Sequence, residues 1–251
     1  MLNRNDYLNR IGIATIKPPT LAYLAELQLA HLLHVPFENL DVRRGTPIVL
    51  DYEHLFGKIV TRKRGGFCFE CNGLFGWLLR DLGFKVTRIT ASVYNGERFG
   101  IQFDHMALLV HFEHGTYWTD VGFGDASRQP IRFPDGSAED VGGQYRFVTS
   151  TEDDYFYYQR DNGKGWEHQY RLKPTAYTMA DFEAGCHYHQ TSPNTTFTQR
   201  TICTIATPDG RVTLNDEGLT ITKVKEKEKV AVISAEHQAE ILSHYFNVIL
   251  D

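Results

Sequence analysis

The sequence predicts an α+β fold in which a helical segment comes first, an antiparallel β-sheet follows and a smaller mixed segment ends the chain. In the first third of the 251 residues, apolar side chains recur at helical spacing. From residue 85 onward, short segments rich in β-branched and aromatic residues are separated by turn residues. The end of the chain returns to strand patterns and closes with a helical pattern. Helices and strands that are segregated in this way are typical of α+β folds.

Three helices are predicted in the first third. Residues 20–36 read TLAYLAELQLAHLLHVP, whose leucines and alanines form a broad apolar face with Thr20 as the N-cap. A second helix is predicted to begin near Asp51. A third runs through CFECNGLFGWLLRDLG, residues 68–83, where Gly83 is a suitable stop because glycine adopts the backbone conformation that often ends a helix.

Six strands are predicted in the middle of the chain, and their spacing suggests an antiparallel barrel or sandwich. They are KVTRITASVY, HMALLVHF, TYWTDVGF, QYRFVTS, YFYYQR and WEHQYRL. TMADFEAGCHYHQ is then a predicted helix with Thr178 and Asp181 as its capping box. RTICTIAT, RVTLN and KVAVIS are further predicted strands, and SAEHQAEILSHYFNVIL is a closing helix capped by Ser234.

Composition argues against several classes of protein. A net charge of -5 and an isoelectric point near 6.1 argue against a nucleic-acid-binding protein, which normally carries a basic patch. The amino terminus lacks the apolar segment of a secretory signal and no apolar stretch is long enough to cross a membrane, so a cytoplasmic location is expected. Thiols stay reduced there, so the four cysteines are not expected to form a disulfide framework. The mixed charge run KVKEKEK, residues 223–229, is predicted to be a solvated loop or turn.

The segment RGGFCFECNG, residues 64–73, poses the central functional question because its two cysteines have CxxC spacing. A zinc site needs four ligands, which Cys68, Cys71, Cys186 and His189 could supply, although the two halves are far apart in sequence. A thioredoxin-like redox pair needs a preceding strand of a βαβ unit, whereas the residues before this segment look helical. Buried, unreactive thiols are the simpler interpretation of three cysteines, namely Cys71, Cys186 and Cys203.

Cys68 stands in a setting that favours a nucleophile. Gly65 and Gly66 permit a close backbone approach just before the predicted helix. The free N–H groups at the start of that helix favour a thiolate and so would lower the pKa of the thiol. Arg64 adds positive charge unless it is engaged elsewhere. A nucleophile usually also needs a base and an orienting group.

His105 and Asp120 are the candidate base and orienting group, because a His and an Asp within apolar strands are costly to bury unless they are paired. In the structural alternative, His105 caps a strand and Asp120 starts a loop. If His114 and Gly115 form a two-residue turn, His105 and Asp120 share a face but lie four ladder positions apart, roughly 14 Å at about 3.4 Å per residue. That distance is too long for a hydrogen bond, so spacing alone does not establish a triad.

Five segments together resemble the arylamine N-acetyltransferase family, in the family's order and over nearly the whole chain. They are VPFENL, RGGFCFE, DHMALLV, DVGFGD and TSPNTTF. The resemblance implies a cysteine protease-like core shared by an N-terminal helical bundle and a central antiparallel β-barrel, followed by a C-terminal α/β lid. It implies that residues 1–84 form the bundle with the nucleophile, residues 85–190 the barrel with the His and Asp, and residues 191–251 the lid.

By the same resemblance, Cys68 is the acetylated nucleophile, His105 activates it and Asp120 orients the imidazole. The implied reaction is a ping-pong transfer of acetyl from acetyl-CoA, a co-substrate rather than a permanently bound cofactor, to an arylamine or hydrazine. Gly122 and Gly124 would let the backbone approach CoA closely. The residues expected to line an apolar acceptor pocket are Phe37, Val93, Phe123 and Phe197.

Two other functions stay open at this point. A cysteine hydrolase could use the same triad with water as the acyl acceptor. A non-catalytic zinc or thiol module could instead use the four candidate ligands of the CxxC interpretation. The product formed from acetyl-CoA, with and without an arylamine, distinguishes a hydrolase from a transferase. The metal content of the purified protein identifies a zinc module.

Overall fold

The computed structural model describes residues 2–224 and 226–250. Within these residues the helical elements are α1 (Arg4–Arg10), α2 (Leu21–His34), α3 (Leu40–Arg44), α4 (Tyr52–Phe56) with a π-helical turn (Gly57–Thr61), α5 (Cys68–Asp81), a 3-10 turn (Ala180–Phe182) leading into α6 (Glu183–Thr191), α7 (Thr196–Gln199) and α8 (Ala235–Phe246). The strands are β1 (Phe37–Glu38), β2 (Lys85–Val93), β3 (His105–Phe112), β4 (Gly115–Thr119), β5 (Ile131–Phe133), β6 (Ser137–Asp140), β7 (Gly143–Thr149), β8 (Phe156–Asp161), β9 (Trp166–Leu172), β10 (Ile202–Thr207), β11 (Gly210–Asn215), β12 (Gly218–Lys223) and β13 (Glu226–Val230).

The three predicted N-terminal helices are present with the predicted end signals. The Thr20 hydroxyl accepts from the N–H of Tyr23 at 3.3 Å, and the Asp51 carboxylate accepts from the N–H of His54 at 2.9 Å. Gly83 has a φ of +91°, a conformation that favours glycine after a helix. α5 is buried along most of its length and packs in the core of this region together with α1, α2 and α4. The element that begins with Cys68 is therefore also the central helix of the region.

The eight-stranded sheet is antiparallel throughout and nearly closes on itself. Its strand order is β5-β4-β3-β2-β9-β8-β7-β6, so its two end strands are also neighbours in the sequence. The short connection over residues 134–136 therefore brings the ends of the sheet together, which gives a barrel rather than a sandwich. The interior is filled with aromatic side chains, including Trp118, Tyr158 and Tyr170, all with 0% exposure.

A second, five-stranded sheet has the order β1-β10-β11-β12-β13, so the two-residue strand β1 of the helical region joins the C-terminal sheet. Helix α8 packs on this sheet through Ile241, Leu242 and Phe246. The Ser234 hydroxyl caps α8 as predicted, accepting from the N–H of His237 at 3.1 Å. The pairing of β1 with β10 therefore joins the helical region to the C-terminal sheet, next to the segment that precedes Cys68.

The charge run over residues 223–229 is not the loop that the sequence predicts, because β13 occupies Glu226–Val230, while Lys225 lies outside the described residues. β13 is the edge strand of its sheet and its first four residues are exposed. Charged side chains are favoured on an exposed edge, since they discourage pairing with other chains.

The predicted division at residues 84 and 190 stays a prediction. Among the described residues, no helix is both long and apolar enough to span a bilayer.

Candidate active site

Close backbone packing requires the first of the two glycines before Cys68. A Cβ on Gly65 would lie 1.9 Å from the carbonyl oxygen of Pro36, so only glycine fits. The N–H of Gly66 donates to that same carbonyl at 3.3 Å, and the Gly66 carbonyl accepts from the N–H of Glu38 at 3.0 Å. These bonds bring the segments VPFENL and RGGFCFE together and fix the point at which α5 begins, with Cys68 as its first residue.

His105 and Asp120 meet because the hairpin between β3 and β4 turns at residues 113–114, one residue earlier than the predicted turn at 114–115. Continued by one pair, this register sets Asp120 opposite Ala107, two ladder positions from His105 rather than four. Diagonal neighbours of this kind are roughly 7–8 Å apart between backbones, within reach of an imidazole and a carboxylate. His105 Nε2 lies 2.6 Å from Asp120 Oδ2. The separation of roughly 14 Å expected from the sequence was wrong because it placed the turn one residue too late.

Asp120 is completely buried and accepts hydrogen bonds from four groups. Besides His105 Nε2, they are Asn72 Nδ2 at 2.8 Å, the Tyr170 hydroxyl at 3.0 Å and the backbone N–H of Gly122 at 2.9 Å. These donors compensate the carboxylate for the water that it loses on burial. The side chains of His105, Asp120, Asn72 and Tyr170 are called the histidine–aspartate cluster below.

Asn72 and Tyr170 are site residues that the sequence interpretation missed. Asn72 lies one helical turn after Cys68 and also donates to the carbonyl of Met106 at 2.6 Å, while its oxygen accepts from the N–H of Val121 at 2.9 Å. It therefore holds both barrel segments of the site against α5. An amide inside an apolar helix was the available signal, since a buried amide needs partners. No local signal singles out Tyr170 among the other barrel aromatics.

The protonation pattern of the site follows from these contacts. An ionised carboxylate only accepts, so His105 carries its proton on Nε2, facing Asp120, and Nδ1 is the basic nitrogen. Burial raises the pKa of the Cys68 thiol well above its ordinary value, and a hydrogen bond from the backbone of Met106 offsets this only in part. The predicted lowering by the helix start is therefore wrong in sign, because desolvation outweighs it. Such a thiol needs a base that takes its proton during attack.

Cys68 and His105 line one cavity of about 680 Å³. All four side chains predicted for the acceptor pocket line it as well, namely Phe37, Val93, Phe123 and Phe197. The ring of Phe123 packs edge-on against His105 with 5.3 Å between centroids, and the rings of Phe37 and Phe197 are 6.1 Å apart. The cavity is large enough for a small organic ligand, and its apolar walls suit a flat aromatic one.

The two glycines predicted to contact CoA occupy different places. Gly122 lines the cavity, and a Cβ there would lie 2.8 Å from the Cα of Cys68 and 2.7 Å from Asn72 Nδ2. Glycine at this position thus allows the barrel segment to pack against the start of α5. Gly124 is not among the residues that line the cavity. It has a φ of +83° and its Cβ would face the side chain of Phe37 at 3.4 Å.

A second group of charged side chains is buried on the other side of α5. Arg64 Nη2 contacts Glu38 Oε1 at 2.8 Å and Asp41 Oδ1 at 2.9 Å. Lys58 Nζ contacts Asp41 Oδ2 and Glu70 Oε1, each at 2.8 Å. These five side chains are called the ionic cluster below. The five residues are each at most 7% exposed, so the carboxylates and cations compensate one another largely without solvent.

The ionic cluster is joined to the start of α5 through Glu70. Its Oε2 accepts from the N–H of Phe67 at 3.1 Å, which satisfies one of the free donors at the helix start. Burial raises the pKa of Glu70 to about 7, an effect that Lys58 only partly offsets. Arg64 donates from Nε and Nη2 to Glu38 and Asp41, so it is engaged within the cluster and does not meet the condition under which its charge was expected to act on Cys68.

The candidate zinc ligands are not brought together. Within the described residues, no group of three or more His, Cys, Asp or Glu side chains is arranged to hold a metal ion. The thiol of Cys71 donates to the carbonyl of Gly66 at 3.2 Å, and His189 Nε2 lies 2.9 Å from Asp104 Oδ1. All four cysteines are free thiols and buried. Cys71 therefore supports the backbone before Cys68 and is not its partner in a disulfide.

Comparison with known proteins finds the same similarity over nearly the whole chain. The sequence model of a family described as N-acetyltransferase matches residues 20–251. An arylamine N-acetyltransferase of Gallus gallus, the pineal gland isozyme NAT-10, is 31% identical over 100% of this chain and 95% of its own length. The arylamine N-acetyltransferase of Mycolicibacterium smegmatis is 30% identical over 98% and 92%. The structure of Mycobacterium marinum arylamine N-acetyltransferase in complex with CoA has a TM-score of 0.90 and 29% identity, covering 98% of this chain and 93% of that one.

Proposed function

The chain belongs to the arylamine N-acetyltransferase family, and we propose that it moves acetyl from acetyl-CoA to an arylamine through an acetyl-cysteine at Cys68. One observation carries the proposal: Cys68 and His105 line the same cavity, while Asp120 lies 2.6 Å from His105 Nε2. CoA bound to the Mycobacterium marinum relative supports acetyl-CoA as the co-substrate. Acetyl-CoA is consumed in each turnover and is not a resident cofactor.

In the first half-reaction, the sulfur of Cys68 attacks the thioester carbonyl of acetyl-CoA while Nδ1 of His105 takes the thiol proton. Asp120, facing Nε2, stabilises the imidazolium that forms. The C–S bond to CoA then breaks and the CoA sulfur leaves with the proton from His105. Acetyl-Cys68 and CoA–SH are the products, and His105 is neutral again.

In the second half-reaction, the amine nitrogen attacks the carbonyl of acetyl-Cys68 and His105 Nδ1 takes a proton from that nitrogen. The C–S bond to Cys68 breaks, and the proton returns to the sulfur. The products are an N-acetyl arylamine and free enzyme. The same imidazole thus serves both halves of a ping-pong cycle.

The aromatic walls of the cavity suit a flat acceptor, and arylhydrazines are proposed as further acceptors because their terminal nitrogen is also nucleophilic. Phe37, Val93, Phe123 and Phe197 are the proposed contacts. We propose that the backbone of Gly122, which lines the cavity, contacts CoA. A contact with Gly124 would require CoA to reach past the residues that line the cavity. The cytoplasmic location stays a prediction, as does the absence of nucleic-acid and membrane partners.

Intact-mass analysis after a brief incubation with acetyl-CoA tests the proposal. One acetyl group is expected on the protein, and peptide mapping should place it on Cys68. Addition of an arylamine should discharge it with formation of the N-acetyl arylamine. Acetate release at the same rate without an amine would instead identify a cysteine hydrolase.

Cys71→Ala is the matched control, since Cys71 is a second buried thiol of the same helix. It should acquire the acetyl group as the wild type does. An adduct that maps to Cys71, or no adduct in the wild type, would contradict the proposal.

A further inference from the structure

The cavity contains a second histidine–carboxylate pair that the proposed reaction does not use. His189, in the last turn of α6, and Asp104, directly before β3, both line the cavity. His189 Nε2 lies 2.9 Å from Asp104 Oδ1, and the two side chains are 7% and 11% exposed. His189 Nε2 makes no well-aligned hydrogen bond, so its contact with Asp104 is one of close approach between two buried polar groups.

His189 connects this carboxylate to helix α7. Its Nδ1 lies 2.8 Å from the hydroxyl oxygen of Thr195, which is the N-cap of α7 and accepts from the N–H of Phe197 at 3.4 Å. This hydrogen bond holds the imidazole against the start of α7 whichever of the two atoms donates. The contacts therefore form one continuous chain, from the Phe197 N–H through Thr195 and His189 to Asp104.

This chain of contacts touches two of the residues proposed to contact the acceptor. At one end is Phe197, whose ring also packs edge-on against that of His189 with 5.3 Å between centroids. At the other end, Asp104 Oδ2 accepts from the backbone N–H of Val93 at 2.9 Å. Phe197 and Val93 are two of the four proposed contacts with the arylamine. Asp104 also directly precedes His105, so the same contacts link the acceptor wall to the general base.

We infer that Asp104, His189 and Thr195 form a positioning relay that holds Phe197 and Val93 at the distance an arylamine requires, and thereby sets the affinity for the acceptor. The inference rests on the proposed function and names the residues that tune its second substrate. The relay acts through the cavity wall and transfers no proton in the reaction, because His105 alone balances the protons of both half-reactions. A shift of the aromatic wall would weaken binding of the flat acceptor more than attack on the acetyl thioester.

Thr195→Val removes the central hydroxyl at nearly constant volume. We expect the KM for para-toluidine to rise about three- to tenfold, the effect of losing one hydrogen bond, while the rate of Cys68 acetylation by acetyl-CoA changes less. Thr195→Ser keeps a hydroxyl and should restore the wild-type KM. His189→Asn keeps a polar atom near Nδ1 but loses the contact with Asp104, so it should raise the KM in the same direction.

Thr198→Val is the matched control. Thr198 lies on the same short helix and its hydroxyl donates to the carbonyls of Ser192 and Thr195, and neither bond involves His189. Thermal unfolding of each variant confirms that the folded enzyme is being compared. An unchanged KM in Thr195→Val, an equal rise in Thr198→Val or a failure of Thr195→Ser to restore the KM would overturn the relay. Wild-type enzyme that acquires no acetyl group would instead overturn the proposed function, so the two failures are distinguishable.

Discussion

The histidine–aspartate cluster and the ionic cluster are both buried against α5, but they contain different kinds of cation. Asn72 and Glu70 join α5 to the two clusters, and residues two apart on a helix point about 200° away from each other. In the ionic cluster the cations are Lys58 and Arg64, whose pKa values are raised by the acids around them. In the histidine–aspartate cluster the only group that can become a cation is an imidazole.

This difference separates a scaffold from a site of proton transfer. Lys58 and Arg64 stay charged over the whole physiological pH range, so the ionic cluster fixes the geometry of the loop before Cys68. An imidazole can take up a proton at one nitrogen while the other donates to a carboxylate, and His105 also reaches the cavity that Cys68 lines. Charged residues buried in an apolar setting are therefore not all functional. The titratable cation and the access to a cavity distinguish the two clusters.

Loss of the nucleophile should have the largest effect. Cys68→Ser is expected to lower acetyl transfer on the order of a thousandfold or more, because a hydroxyl gives up its proton far less readily than a thiol. Steady-state rates with acetyl-CoA and an arylamine measure the loss, and circular dichroism shows whether the fold is kept. Cys71→Ala should stay active. A folded Cys71→Ala enzyme as inactive as Cys68→Ser would contradict the assignment of the nucleophile.

Removal of a permanent cation should instead affect stability. Lys58→Met leaves Asp41 and Glu70 without their shared cation and should lower the free energy of unfolding by about 3–5 kcal/mol. Urea denaturation measures this loss, and acetylation of Cys68 in the remaining folded enzyme should stay close to the wild-type rate.

Lys17→Met is the matched control, since Lys17 pairs with Glu26 at the surface, where both side chains are more than a third exposed. Lys17→Met should lower the free energy of unfolding by less than about 1 kcal/mol. Equal losses in the two lysine variants would remove the distinction between a buried scaffold and a surface ion pair.

Glu70 should give the smallest effect, and one that depends on pH. Burial raises its pKa from 4.5 to about 7 in the folded protein, so the folded state holds this proton to a higher pH than the unfolded state does. The contribution of Glu70 to the free energy of unfolding should therefore fall by on the order of 1–3 kcal/mol as pH rises from about 4.5 to about 7. Above about pH 7 this contribution should stay constant.

Glu70→Gln cannot ionise and should lack this part of the pH dependence. Urea denaturation of wild type and variant across that range gives the difference in stability, in which the contributions of groups that do not interact with Glu70 cancel. Parallel curves for wild type and Glu70→Gln would show that Glu70 ionises alike in the folded and unfolded states.

Much of the fold could be predicted from the sequence, because its helices carry local end signals. Thr20, Asp51, Gly83 and Ser234 all act as the patterns indicate. Short elements without such signals were missed, among them the two-residue strand β1. Its existence depends on pairing with β10, more than 160 residues later in the chain, and no local pattern records that pairing.

The site could be predicted in its residue types but not in its contacts. The Cys, His and Asp followed from chemistry and resemblance, whereas their distance depended on a hairpin turn that lies one residue earlier than expected. The pKa of Cys68 was predicted in the wrong direction because burial cannot be read from a helix start. Asn72 and Tyr170 gain their importance only when the barrel closes on α5.

The same substitution placed once in each cluster tests the central claim most directly. Asp120→Asn and Asp41→Asn both replace a buried carboxylate by an amide of equal size. Stopped-flow measurement of acetyl-enzyme formation should show a fall on the order of 10²–10⁴-fold for folded Asp120→Asn, because His105 loses the charge that stabilises its imidazolium. Asp41→Asn should be the less stable protein but should form acetyl-Cys68 at close to the wild-type rate. Near wild-type acetylation in Asp120→Asn, or an equal loss of rate in both variants, would contradict the division between a proton-transfer site and a scaffold.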